Sequence, residues 1–179
     1  MNMKLKKINP LIPQISVRFG AVGGVLAIVA FLVFHFIGLP PGSLLSFIAT
    51  ILVVGMFMFL PMKGFKSHNN GEFRFYHGMT IGFISYLSIA TIFSLFYLLF
   101  ITVIEPDYLI DKMEFLKENL IEQKEQKIEE FGPEVYERQL KGMDSTSVSA
   151  DVLSEFAKRL FIGLFIAPVF SIILRTRQA

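Results

Sequence analysis

Apolar residues along this chain gather into four long runs, at 19–37, 44–60, 79–104 and 160–174, and only one of the stretches between them is long. A helix crossing the ~30 Å hydrocarbon core of a bilayer needs roughly 20 apolar residues. The first two runs fit or nearly fit, the third is long enough to tilt or protrude, and the fourth is short. The fourth is therefore predicted to begin as a soluble helix near Ser149, with Val152, Leu153, Phe156, Leu160 and Gly163 continuing one face and Pro168 interrupting the ladder further on. "GLPPGS" after the first run predicts a tight turn into the second. The fold class expected is all-α: a polytopic four-transmembrane-helix bundle forming one membrane domain over 1–179, with a helical extracytoplasmic loop at 105–159.

That loop has its own periodicity. Over 107–131 the chain reads "DYLIDKMEFLKENLIEQKEQKIEEF", which predicts one helix bracketed by Pro106 and by Gly132-Pro133. Leu109, Met113, Leu116 and Leu120 fall on one side, and Asp107, Asp111, Glu114, Glu118, Glu122, Glu125 and Glu129 on the other. The apolar stripe calls for a partner, either the helix leading into the fourth run or the outer surface of the bundle. The acidic stripe is a solvated face or a docking face for a basic partner or weakly held divalent cations, with Glu118, Glu122, Glu125 and Glu129 as the candidate partner-binding residues. A short helix over 133–140 and a polar link, "GMDSTSVS", follow, and the link's serines are placed to cap the next helix.

Charge sets the orientation. Only 18% of residues are charged and 53% are hydrophobic, against about 25% charged in an average soluble domain. Lys4, Lys6, Lys7 and Arg18 precede the first run; Lys63, Lys66 and Arg74 lie between the second and third; Arg175 and Arg177 follow the fourth. The first turn is uncharged, so the positive-inside rule predicts that both termini are cytoplasmic and that 105–159 is outside. The first run is too long for a signal-peptide core and lacks a small-residue cleavage site behind it.

Candidate chemistry is sparse. There is no cysteine, which removes disulfides, thiolate metal sites and thiol nucleophiles. No nucleophile elbow, phosphate loop, dinucleotide fingerprint or paired-histidine zinc motif occurs. His35 lies near the outer turn, and His68 and His77 are at no usual zinc spacing. No catalytic, cofactor or metal site is expected, and no nucleic-acid partner. In "GEFRFYHG", Phe73, Arg74, Phe75 and Tyr76 are predicted to anchor the loop at the membrane interface, aromatic rings at headgroup level and Arg74 facing anionic lipid. Gly20 and Gly24 form a GxxxG, and Gly82, Ser85, Ser88, Thr91 and Ser94 run down the third span. Both patterns mark close helix packing, within the bundle or between copies.

The layout resembles the family of bacterial proteins known as domain of unknown function 4199. The resemblance is carried by a glycine-containing first span, "NNGEFRFYHGMTIGF" leading into the third, "IEPDY" leaving it, a Glu- and Gln-rich helix and a last span ending in basic residues. It implies a Gram-negative inner-membrane protein with its long loop in the periplasm, and it brings no catalytic residues. The function expected is that of a non-enzymatic scaffold or accessory subunit contacting membrane lipids and an envelope protein or a second copy; the alternative is lipid or small-solute handling.

Overall fold

The computed structural model describes residues 9–176, so Lys4, Lys6, Lys7 and Arg177 of the orientation argument lie outside it. Among the described residues seven helices follow one another: α1 Leu11–Phe36, α2 Leu44–His68, α3 Phe75–Leu99, α4 Tyr108–Glu122, α5 Lys124–Phe131, α6 Pro133–Asp144 and α7 Val148–Ile173. α3 continues as a π-helical turn, Phe100–Ile104. Four of these, α1, α2, α3 with its extension, and α7, are long and apolar enough to cross a membrane.

Turn chemistry sets the ends of the spans. α1 stops where Gly38 takes φ +71°, with Gly38 N–H donating to His35 O and Leu39 N–H to Phe34 O. This crossed pair of bonds satisfies the last carbonyls of a helix and needs a left-handed residue, which glycine adopts without a Cβ penalty. Ser43 then caps α2 by accepting from Ser46 N–H at 3.4 Å. α2 does not end at residue 60 as its apolar run does. It passes through a buried Pro61 to His68, because a single missing ladder bond is tolerable where neighbouring helices cover the backbone.

α3 is the central helix and packs against α1, α2 and α7. Its approach to α1 is set by small residues: a Cβ on Gly20 would stand 2.6 Å from Ser88 Cβ, and one on Gly24 2.8 Å from Ile92 Cβ. The GxxxG of the first span therefore joins two helices of the same bundle. The α3–α7 seam is also close, with Gly78 against Ser171, Gly82 against Ala167 and Tyr86 against Gly163. Lipid is as apolar as leucine, so helices in a bilayer associate through such close packing rather than through a hydrophobic drive.

The end of the bundle that carries residue 176 is closed by a short knot. Thr176 N–H donates to Phe73 O at 2.8 Å, Phe73 N–H donates to Thr176 Oγ1 at 2.9 Å, and Lys66 Nζ donates to Leu174 O at 2.9 Å. Phe73 is fully buried against Phe65 and His77. This corrects its expected place: Phe73 is a wedge inside the protein, and only Phe75 and Tyr76 leave large apolar surface exposed. Arg74 pairs with Glu72 at 2.7 Å.

At the opposite end α4, α5 and α6 form an arm. The single helix expected over 107–131 is broken at Gln123 into α4 and α5. Gly132 at φ +85° and Pro133 at the first turn of α6 divide the next pair as expected, but α6 runs to Asp144. Ser147 caps α7, accepting from Ala150 N–H at 3.2 Å. α7 is one continuous helix through Pro168, so the short fourth run is the second half of a longer rod.

Gly163 and Gly64 give a matched pair of tests. A Cβ at Gly163 would enter the Tyr86 ring, whereas one at Gly64 meets nothing within 4 Å. Gly163→Ala should destabilise by about 1–3 kcal/mol through overpacking. Gly64→Ala should be neutral or stabilise by up to ~1 kcal/mol through helix propensity. Thermal unfolding of both variants in the same bilayer mimic checks the contrast.

A candidate functional site: buried ions between the arm and the bundle

Every fourth residue of α7 from Asp151 to Ser171 belongs to the side that meets α3: Asp151, Glu155, Arg159, Gly163, Ala167 and Ser171. Residues four apart share a helix face. In the half nearer the arm that face is charged, and three elements converge on it. α3 contributes Tyr97, α4 contributes Lys112, and α7 contributes Asp151, Glu155 and Arg159.

Lys112 Nζ donates to Asp151 Oδ1 at 2.8 Å and Oδ2 at 3.0 Å, to Tyr97 Oη at 3.0 Å and to Glu155 Oε1 at 3.3 Å. Tyr97 Oη passes its own hydrogen to Asp151 Oδ2 at 2.7 Å. Arg159 Nη1 donates to Glu155 Oε2 and to Glu155 O, both at 2.9 Å, and its guanidinium carbon lies 3.3 Å from the centre of the Phe93 ring. Lys158 Nζ, on the rim, donates to Glu155 Oε1 at 2.9 Å. Lys112, Asp151 and Arg159 are only 6%, 5% and 7% exposed.

The physical consequence is a lock. Taking an ion out of water costs several kcal/mol even after relaxation, and the cost is offset only where partners and hydrogen bonds are complete. Here all four carboxylate oxygens of Asp151 and Glu155 have a cationic or hydroxyl donor. Among the described side chains of the cluster, one buried polar atom, Arg159 Nε, has no hydrogen-bond partner; the π face of Phe93 covers that guanidinium instead.

A second polar contact lies beside the first. His35 Nε2 meets Glu105 Oε2 at 2.8 Å, tying the end of α1 to the end of α3's extension, and the His35 ring packs on Phe100 and Tyr108. Tyr108 opens α4 and packs edge-on against Phe31. Burial, then the nearby carboxylates of Glu155, Asp151 and Glu105, raise its hydroxyl pKa well above the usual phenol value, so it stays a neutral phenol.

Glu118, Glu122, Glu125 and Glu129 lie elsewhere, all exposed on the arm. The break at Gln123 divides them into one pair on α4 and one on α5. Among the described residues none of the four has an ion-pair partner. Leu109 and Met113 line a groove with Met143 and Thr146, so part of the apolar stripe turns toward the end of α6. Leu120 is buried, and Leu109, Met113 and Leu116 are half-buried.

Lys112, Asp151, Glu155 and Arg159 are absent from the sequence expectation, which places Val152, Leu153, Phe156, Leu160 and Gly163 together on one face of α7. Leu153 is in fact 64% exposed. The available signal was the spacing Asp151, Glu155, Arg159, one turn apart on a single face and leading into Gly163, because inside a membrane ionisable residues face the protein and pair there. No group of three or more His, Cys, Asp or Glu able to hold a metal occurs among the described residues.

A helical bundle with four apolar helices long enough to span a bilayer, held at one end by buried ions, is a multi-pass membrane protein. The chain belongs to the family described as protein of unknown function (DUF4199), whose model matches residues 18–176. No curated protein and no solved structure matches it.

Removing one member should cost more than removing the pair. Lys112→Met leaves two carboxylates under-paired and should cost about 3–5 kcal/mol. The double variant Lys112→Met/Asp151→Leu should recover part of that loss, a coupling that unfolding of the two single variants and the double one in identical lipid measures.

Proposed function

We propose that the protein is a non-enzymatic scaffold or accessory subunit of a bacterial inner membrane, with both termini cytoplasmic and the α4–α6 arm offered in the periplasm to another envelope protein. The observation that carries this reading is the contrast within the arm. Its root is tied to the bundle by the buried network at Lys112, whereas α5 buries no residue at all. Beyond the root, α5 and α6 pack on one another and expose Phe131 and Val135 beside four unpaired glutamates. A segment held firmly at its base and left uncovered at its tip suits contact with a partner. Support for a non-catalytic role comes from the network itself, since each of its four carboxylate oxygens already accepts a hydrogen bond from a cation or a hydroxyl. The orientation rests on Lys63, Lys66, Arg74 and Arg175 lying at the end away from the arm.

Orientation is directly measurable because the chain has no native cysteine. A single cysteine at Glu125 should react with an impermeant thiol reagent in intact spheroplasts, and one at Asn69 should be protected; the reverse pattern inverts the topology.

Docking through the acidic side should depend on salt. A protein that co-purifies stoichiometrically with the full chain in mild detergent should be lost as ionic strength rises, because exposed pairs are screened over ~8 Å at physiological salt. Changing Glu118, Glu122, Glu125 and Glu129 together to Gln should weaken its recovery at low salt and flatten the salt response without unfolding the chain. Equal recovery of that protein by both forms across the series would reduce the acidic side to a solvated face.

A further inference from the structure

α2 and α7 are in contact toward the end that carries residue 176 and separate toward the arm. Phe59 and Phe170 pack with ring centres 5.3 Å apart, and a Cβ on Gly55 would touch Ile166 and Phe170 at 3.9 Å. Further toward the arm, Phe47 of α2 faces Ala157, Phe161 and Phe165 of α7 across a groove of about 440 Å³. Phe47, Phe161 and Phe165 are exposed, and both helices are membrane-spanning, so the groove opens sideways into hydrocarbon. Its one charged residue is Lys158, with Ser154 one turn nearer the arm.

The charge around that lysine is unbalanced. Lys112, Lys158 and Arg159 surround Asp151 and Glu155, three cations against two carboxylates. The side chain of Lys158 is 58% exposed whereas that of Lys112 is 7% exposed, so the excess positive charge is presented at the groove. One of its three N–H donors is used on Glu155, which leaves two, and Ser154 lines the same groove. A long lysine stem lies along apolar surface while its head reaches the interface.

We infer that this groove is a binding site for an anionic phospholipid of the leaflet on the arm side, with an acyl chain against Phe47, Phe161 and Phe165 and the phosphate on Lys158 and Ser154. The apolar wall accounts for the chain, and the cluster's net positive charge, carried to the upper edge by Lys158, selects negative headgroups over zwitterionic ones. This site goes beyond the arm's docking role and does not rest on it.

The chain contains no tryptophan, so one introduced residue reports locally. Phe165→Trp places an indole in the groove, and Val33→Trp places one on the lipid-facing side of α1 as a control. Each full-length variant is reconstituted in phosphatidylcholine with increasing brominated phosphatidylglycerol, or with brominated phosphatidylcholine, and the quenching is compared. The groove reporter should favour the anionic lipid about fivefold, the factor that one lysine near an anionic surface contributes. The control reporter should show no preference. Adding Lys158→Gln to Phe165→Trp should bring the ratio close to one while helicity is unchanged. Equal quenching by both lipids at the groove, or a preference that survives Lys158→Gln, overturns the site. An indole shielded from both lipids also overturns it, in favour of a second copy of the chain seated there.

Discussion

The ammonium of Lys112 is almost shut off from solvent, and its position follows from that constraint. It sits 2.8 Å from Asp151 between helices α3, α4 and α7, and it satisfies a carboxylate that also accepts from Tyr97. An ion there without partners is far costlier than an apolar residue, so α4 stays docked as long as the bundle is folded. The same cost makes register exact in kind: a slide of one turn by α7 would replace Asp151 with Glu155 opposite Tyr97 and strand a charge. Apolar contacts alone would penalise such a slide weakly, since leucine against lipid and leucine against leucine differ little.

Below the ions the seam changes character without changing its axis. Phe93 under Arg159, Tyr86 against Gly163, Gly82 against Ala167 and Gly78 against Ser171 continue the same line down α3 and α7. Small residues meet small ones where Gly82 faces Ala167 and Gly78 faces Ser171, and the Tyr86 ring meets Gly163, so the two rods approach closely over this stretch. α1 uses the adjacent side of α3 in the same way through Gly20 and Gly24, while Gly23 receives Phe57 of α2. About half of the bulky residues of α1 and α7, such as Val25, Val29, Phe161 and Phe165, are left pointing outward. In water that arrangement would be an exposed apolar patch far beyond a monomer's usual size; in a bilayer it is the solvated surface.

The four apolar runs, the turn at Gly38, the cap at Ser147 and the division at Gly132-Pro133 were legible because each is a local signal with a local cause. At Pro168 the expected interruption of a continuing helix agrees with α7. The end of α2 was not legible: its apolar run stops at residue 60, and only the packing around Pro61 shows that the helix passes through it to His68. Phe73 was misplaced for a similar reason: an aromatic near a membrane edge reads as an interface anchor, and its burial depends on Thr176, 103 residues further along the chain. The buried ions were hidden by a rule borrowed from soluble helices, which turns apolar residues inward and charges outward. For α7 the rule runs the other way, with Leu153 outside and Asp151 inside.

Glu155 is where the separate parts meet. Its Oε1 accepts from Lys112, which holds the arm, and from Lys158, which edges the α2–α7 groove; its Oε2 accepts from Arg159, which caps the Phe93 ring. Two ammonium groups share one oxygen, and the shorter contact is the one to the exposed lysine, 2.9 Å against 3.3 Å. An anion that drew Lys158 away would leave that oxygen to Lys112 alone and strengthen the arm's attachment. Linkage then requires the converse, that a partner fixing the arm in its docked position would favour the anion at Lys158 by the same free energy. The two sites are joined through a single carboxylate, so replacing Glu155 would uncouple them as well as loosen the lock.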